Sequence, residues 1–196
     1  MLKKEIVWRD ILESAIRKKQ FQFTQKDLAQ KYGLSSSTVF NALAIPRTQG
    51  AITVSGRDFS VTDVEKLLYI WATQRNLARD IVYQTSVPMS AREIEGLAPA
   101  GIVFGGCSAY AHAYGNSPAE YDAIYWYADA ASLAEIKKRF PKRTGRANFF
   151  ILKEDPFLKR FGSRVTPDTQ TFTDLWNMKE WYAKDFITAI KQKLFP

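Results

Sequence analysis

Residues 24–43 read Thr24-Gln-Lys-Asp27-Leu-Ala-Gln-Lys-Tyr-Gly33-Leu-Ser35-Ser-Ser-Thr-Val39-Phe-Asn-Ala-Leu43. This stretch predicts two short helices joined by a tight turn. Thr24 is typical of an N-cap, with the Asp27 carboxylate three residues later, and Gly33 is typical of a left-handed residue that ends a helix. Ser35 is a second N-cap, and we expect the helix that it opens to end before Pro46, because a proline disfavours the helical conformation of the residue before it.

Two short helices behind a longer amphipathic helix over residues 2–19 are the arrangement of a helix-turn-helix. If Val39 and Leu43 point into the core, Ser37 and Asn41 lie on the opposite, exposed side of their helix. Asparagine can read adenine in a major groove, and serine or threonine can contact several bases or phosphate. We expect this surface to bind DNA; an ordinary helical hairpin with polar caps is the alternative.

A β-hairpin is predicted next, because residues 51–62 alternate apolar and polar side chains on both sides of Ser55-Gly-Arg-Asp58. Three helices followed by a hairpin make a winged helix-turn-helix, and its wing tip would carry Arg57. The expected DNA contacts lie on the two short helices, on the approach to the hairpin and at its tip. They are Gln25, Lys26, Ser35, Ser36, Ser37, Thr38, Asn41, Arg47 and Arg57.

Charge is unevenly distributed along the 196 residues, whose net charge is +8. Residues 1–80 hold 13 basic and 8 acidic side chains, residues 81–136 hold 1 and 6, and residues 137–164 hold 10 and 2. A dense basic run is commonly a solvated face, but it also suits contact with phosphate. The additional candidate phosphate contacts in this run are Lys137, Lys138, Arg139, Lys142, Arg143 and Arg146.

The composition excludes several classes of protein. With one cysteine, Cys107, and one histidine, His112, the chain has no intrachain disulfide and no zinc finger. No apolar stretch reaches the roughly 20 residues of a membrane span, and the N-terminus lacks a signal-peptide core. We therefore expect a cytoplasmic protein with no membrane partner, no metal and no cofactor.

The remainder of the chain predicts a second domain in which short strands alternate with short helices. A linking helix opens with the capping box Thr62-Asp-Val-Glu65, strands are expected at residues 81–87, 102–104, 121–127 and 147–152, and a closing helix or pair of helices is expected from Asp174. The fold class is therefore α+β. The expected domains are a winged helix-turn-helix over residues 1–62, the linking helix over residues 63–80, and an α/β domain over residues 81–196.

One turn in the second domain invites a chemical interpretation. Gly105-Gly106-Cys107-Ser108 follows a predicted strand and opens a helix, where backbone N–H groups can approach a phosphate. In nucleotidyltransferases a similar turn precedes a strand with an Asp-x-Asp pair that holds Mg²⁺. Asp122 matches the first carboxylate, but Ile124 stands at the second, and one carboxylate cannot bridge two ions.

This pattern predicts a degenerate nucleotidyltransferase-like fold with no catalytic residue. The alternative is a nucleotide- or RNA-handling enzyme that uses the Gly105-Gly106 turn, Ser108 and Asp122. His112 lies four residues after Ser108, but no third residue in the sequence would orient it as a base. Cys107 stands at a helix start, where a thiol pKa can be lowered, although a small buried residue is the commoner case there.

Three parts of the chain together resemble the AbiEi family of type IV antitoxins and related winged-helix regulators. They are the predicted winged helix, the run from Gly105 to Gly115 before an aromatic strand, and Val165-Thr-Pro-Asp-Thr-Gln-Thr-Phe-Thr-Asp-Leu-Trp176 with the helix that follows it. The resemblance implies a repressor that binds repeated operator sequences of its own operon. It also implies a C-terminal domain that supports cooperative DNA binding and neutralises a nucleotidyltransferase toxin. Both a homodimer and monomers on adjacent repeats are compatible with it.

Overall fold

The structure is a computed structural model, and it describes residues 1–162 and 164–196. The chain divides into two compact units, Met1–Arg75 and Asn76–Pro196. The expected mixture of helices and strands, the α+β class, is confirmed. The boundary between the units falls after the helix that the sequence suggests as a linker, so that helix is part of the first unit.

The first unit, whose residues are all described, combines helices with an antiparallel sheet in the strand order β1-β3-β2. Its elements are α1 (Lys3–Lys18), β1 (Gln22–Thr24), α2 (Gln25–Tyr32), α3 (Ser36–Ala42), α4 (Ala44–Thr48), β2 (Ile52–Ser55), β3 (Asp58–Val61) and α5 (Val64–Gln74). The predicted hairpin is confirmed as β2 and β3. Strand β1 was not expected; it pairs with β3 so that the rings of Phe23 and Phe59 stack 5.5 Å apart.

Two boundaries in this unit differ from the prediction. Helix α3 ends at Ala42, and Pro46 lies inside the separate helix α4 rather than beyond the last helical residue. Pro46 is the third residue of α4 and lies in its first turn. Backbone N–H groups of the first turn have no partner within their own helix, so a residue without an N–H is tolerated there. Helix α5 is capped by Asp63 rather than Thr62, because the Asp63 side chain accepts a hydrogen bond from the Lys66 N–H at 2.8 Å.

The second unit is built on a mixed sheet in the strand order β4-β7-β6-β5. Its elements are β4 (Ile81–Thr85), α6 (Ala91–Gly96), β5 (Val103–Gly105), α7 (Gly106–Tyr114), β6 (Ile124–Ala128), α8 (Ala130–Arg139), β7 (Phe149–Lys153), α9 (Asp168–Trp176) and α10 (Ala183–Leu194), with short 3₁₀ helices at Leu77–Asp80 and Leu158–Phe161. Strands β6 and β7 are parallel, and the two outer pairings are antiparallel.

Strand β6 is buried along its whole length because both faces of the sheet are covered. Trp126 belongs to an apolar cluster that includes Ile136 of α8. The neighbouring Tyr127 points to the opposite face, where its hydroxyl donates to the carboxylate of Asp174 in α9 at 2.6 Å. Helix α6 begins with a capping box, in which the Ser90 hydroxyl accepts from the Glu93 N–H at 3.3 Å and the Glu93 carboxylate accepts from the Ser90 N–H at 2.8 Å.

Three details of the second unit correct the expectations. Helix α7 begins at Gly106, so Gly105-Gly106-Cys107-Ser108 is mostly the first turn of a helix rather than a separate turn. Strand β6 begins at Ile124, so Asp122 precedes the strand instead of lying on it. The closing pair of helices is confirmed, but α9 starts at Asp168, six residues earlier than expected.

Candidate nucleic-acid interface

The turn between α2 and α3 is fixed by its own sequence. The Thr24 hydroxyl accepts a hydrogen bond from the Asp27 N–H at 3.0 Å and so caps α2. Gly33 has a φ of +61°, in the left-handed region that favours glycine, and the chain leaves α2 there. The Ser35 hydroxyl accepts from the Thr38 N–H at 3.1 Å and caps α3. The predicted caps and the glycine stop are confirmed.

Helix α3 presents a mostly polar surface to solvent. Val39, Ala42 and Leu43 are buried. The exposed side, which we call the α3 outer face, consists of Ser36, Ser37, Phe40 and Asn41. The predicted assignment of Val39 and Leu43 to the core, and of Ser37 and Asn41 to the surface, is confirmed. Small hydroxyl and amide side chains on an exposed helix face can reach base edges in a major groove.

Ser35 and Thr38 differ from the rest of the predicted contact set. The Ser35 hydroxyl is already engaged in the helix cap and lies 2.9 Å from the Ser37 hydroxyl and 2.8 Å from the Thr38 hydroxyl. Thr38 is only half-exposed. These bonds give Ser35 a clear role in holding the start of α3.

Phe40 is the one large apolar side chain of the α3 outer face. Its side chain is 46% exposed, although it is large and apolar. The Arg47 guanidinium lies 5.1 Å from the centre of the Phe40 ring, a cation–π contact between α3 and α4. The spacing in the sequence indicates this exposed position, since Phe40 follows Ser36 by four residues and therefore lies on the same face of the helix.

The indole of Trp8 holds the end of α3 against α1. Trp8 is fully buried, and its Nε1–H donates to the carbonyl oxygen of Ala42 at 2.7 Å. The next carbonyl, that of Leu43, accepts from the N–H of Arg47 four residues later at 3.0 Å. Ala42 has no such partner at residue 46, because Pro46 carries no N–H. Trp8 supplies the missing donor.

The tip of the hairpin lies beside the start of α2. Gly56 has a φ of +63°, which a tight hairpin turn requires, and Arg57 next to it is exposed. The Arg57 carbonyl accepts a hydrogen bond from the Gln25 N–H at 3.1 Å. The structure thus places Arg57 beside Gln25, although the two predicted contacts come from separate parts of the sequence.

A basic surface lies in the second unit. Its six members, Lys137, Lys138, Arg139, Lys142, Arg143 and Arg146, are all exposed. Two ammonium groups flank one ring: the Nζ atoms of Lys137 and Lys142 lie 5.6 and 5.7 Å from the centre of the Tyr83 ring. Arg139 is less available than the other five for contact with a partner molecule, since its guanidinium donates to the Leu97 carbonyl and pairs with Glu135.

The Gly105-Gly106 segment is packed against side chains. A methyl group added at Gly105 would lie 3.0 Å from the Tyr127 ring, and one at Gly106 would lie 2.9 Å from the sulfur of Met178. The small residues therefore make room for Tyr127 and Met178. Asp122 accepts a hydrogen bond from the Tyr182 hydroxyl at 2.7 Å.

The other reactive side chains of the second unit lie in different environments. Ser108 is fully buried, whereas His112 is exposed, stacks on Phe104 at 4.1 Å and approaches Glu95 at 3.3 Å. Burial raises the pKa of the Cys107 thiol well above its usual value, and the nearby Glu180 carboxylate raises it further. The helix start therefore does not activate this thiol.

The comparisons with known proteins add no relative: the chain matches no protein-family model, no curated protein and no solved structure. Within residues 1–162 and 164–196, no three histidine, cysteine, aspartate or glutamate side chains come together as metal ligands. In the same described ranges, every helix is too short or too polar to cross a membrane.

Proposed function

We propose that this chain is a sequence-specific DNA-binding transcriptional regulator, and that its first unit is a winged helix-turn-helix. The observation that carries the proposal is the α3 outer face. It is exposed, uncharged and polar apart from Phe40, and it is held by two capped helix starts and by the Trp8 bond. The hairpin formed by β2 and β3, with Arg57 at its tip, would serve as the wing.

In this proposal the roles divide by chemistry. Ser37 and Asn41 read base edges, because their hydroxyl and amide groups can pair with bases in the major groove. Arg57 and Lys26 are charged and exposed, so they contact phosphate and fix the register of the protein on the duplex. The basic surface of the second unit would add sequence-independent phosphate contacts.

The proposal extends to the biological setting that the AbiEi resemblance implies. The chain would act as a repressor in the cytoplasm, bind operator repeats as a homodimer or as cooperative monomers, and have a nucleotidyltransferase toxin as a possible partner. The second unit would be a degenerate nucleotidyltransferase-like domain without enzymatic activity. The packing of Met178 and Tyr127 around Gly105 and Gly106 supports this, since it leaves little room for a phosphate.

The test compares variants of the full chain on a fluorescent duplex taken from upstream of its gene and on a scrambled duplex. Replacing Ser37 and Asn41 together by alanine should lower the preference for the upstream duplex by about 5- to 150-fold, the value of one well-made base contact. Gln192→Ala, on the exposed face of α10, is the control and should leave the preference unchanged. An unchanged preference in the double variant would contradict the proposal.

The enzymatic alternative has its own arm in this experiment. Asp122→Ala should leave DNA binding intact if the chain is a regulator. Loss of a nucleotide-dependent activity in that variant, with the Ser37 and Asn41 double variant unaffected, would favour the enzyme instead.

A further inference from the structure

Phe40 is an unusual residue for a surface that otherwise consists of small polar side chains. Ser36, Ser37 and Asn41 surround it on the α3 outer face, and its 46% exposure places a substantial part of the ring in water. The adjacent residue, Val39, is fully buried and occupies the core-facing position of this turn of α3. Helix geometry therefore directs Phe40 outward.

Arg47 lies against the ring without hiding it. The guanidinium lies 5.1 Å from the centre of the Phe40 ring, and the cation–π attraction favours this placement of the two side chains. The stacked guanidinium still presents its N–H donors at its edge, which is the geometry that binds phosphate. The pair thus offers an exposed apolar ring edge next to a charged group.

The chemistry of the major groove supplies one apolar target for such a ring. Among the base-edge groups there, the C5 methyl of thymine is the apolar one, and phenylalanine is among the side chains that contact it. Asn41 is the next residue, and its amide can form two hydrogen bonds to adenine. A base step that contains both an adenine and a thymine therefore matches the two neighbouring side chains.

We propose that Phe40, held by Arg47, contacts the C5 methyl group of a thymine in the operator, next to an adenine that Asn41 reads. This inference rests on the proposed function as a DNA-binding regulator, and it adds the identity of the bases. The operator then contains a thymine at which the methyl group itself, rather than any hydrogen-bonding atom, is recognised.

Uracil in place of thymine tests the inference, because it removes only the methyl group. The full chain first selects a preferred sequence from a random duplex library. Each thymine of that sequence is then replaced in turn by uracil, and affinities are measured by fluorescence anisotropy. At one thymine in each binding site, replacement by uracil should lower the affinity of the wild-type protein about fourfold. This is the change expected when the burial of one methyl group is lost.

Variants then assign the effect to Phe40. Phe40→Ala should bind the thymine and uracil duplexes equally, and Phe40→Leu, which keeps an apolar side chain, should retain part of the discrimination. Phe21→Ala is the matched control, since Phe21 is a 41% exposed phenylalanine of the same unit that lies outside α3. It should discriminate as the wild type does.

The outcomes separate the two proposals. If the wild type selects a sequence but tolerates uracil at every position, or if Phe40→Ala still discriminates as the wild type does, the thymine contact is wrong while the DNA-binding function stands. If no sequence is enriched and no duplex is bound, the proposed function is wrong and this inference fails with it. Discrimination that depends on Phe40 supports both.

Discussion

The hydrogen bond from Trp8 to Ala42 should be worth about 1–3 kcal/mol of folding free energy. Trp8→Phe keeps an aromatic ring but removes the donor. The buried Ala42 carbonyl then has no hydrogen-bond donor, because Pro46 has no N–H to replace the lost one. The smaller ring adds about 1–2 kcal/mol for lost packing. We expect the free energy of unfolding of the first unit to fall by about 2–5 kcal/mol, measured by urea denaturation followed by circular dichroism.

Trp71→Phe separates the hydrogen bond from the packing. Trp71 is also fully buried in the first unit, but its indole N–H has no hydrogen-bond partner among the described residues. This variant should lose only the packing contribution. Pro46→Ala restores an N–H four residues after Ala42, so it should recover about 1 kcal/mol or more in the Trp8→Phe background and nothing in the Trp71→Phe background. Equal losses in the two tryptophan variants, or no rescue by Pro46→Ala, would show that the Trp8 hydrogen bond does not stabilise the first unit.

Three further predictions concern single residues. Gly33→Ala should destabilise the first unit by about 1–2 kcal/mol in urea denaturation, because the residue has a φ of +61°, and Gly33→Asn should cost less; equal costs would contradict this. Ser35→Ala should cost about 1 kcal/mol in the same assay, while Ser35→Asn retains the cap and most of the stability; a neutral Ser35→Ala would show that the cap is unimportant. Hydrogen bonds from the Ser132 N–H and side chain and from Lys159 lower the pKa of Asp129 to about 2. Because this pKa is below that of the unfolded chain, the stabilisation by Asp129 is present above about pH 4 and is lost as the pH falls towards 2. The difference in melting temperature between wild type and Asp129→Ala should therefore shrink over that interval, and a constant difference would contradict the assignment.

Local signals account for the parts of the fold that could be predicted. Thr24, Gly33 and Ser35 act through backbone groups within a few residues of themselves, so their types alone indicate where α2 and α3 begin and end. The alternation around Gly56 and Arg57 similarly specifies a hairpin. These elements were predicted correctly for that reason.

The errors arise where contacts distant in sequence decide the structure. Strand β1 is three residues long, and it is a strand only because β3 pairs with it across more than thirty residues. Pro46 is accommodated within α4 while Trp8, far away in the chain, bonds to Ala42. Neither partner can be recognised from a window of neighbouring residues.

The candidate site shows the same division. Helical periodicity correctly places Ser37 and Asn41 on the surface, because one turn of a helix determines its faces. It does not show that the Ser35 hydroxyl is occupied by the cap, or that Arg47 stacks on Phe40. Those contacts depend on side-chain conformations and on the turn between α3 and α4, which the pattern of residue types does not specify.

The most direct test of DNA recognition by the first unit is a fluorescence-anisotropy titration of the full chain. The two probes are the duplex upstream of its gene and a scrambled duplex of the same composition, each at a low and a higher salt concentration. DNA recognition by the first unit predicts tighter binding to the upstream duplex and affinities that fall steeply with salt, since several lysine and arginine contacts release counterions from phosphate. Equal binding to both duplexes, or no binding to either at low salt, would contradict it.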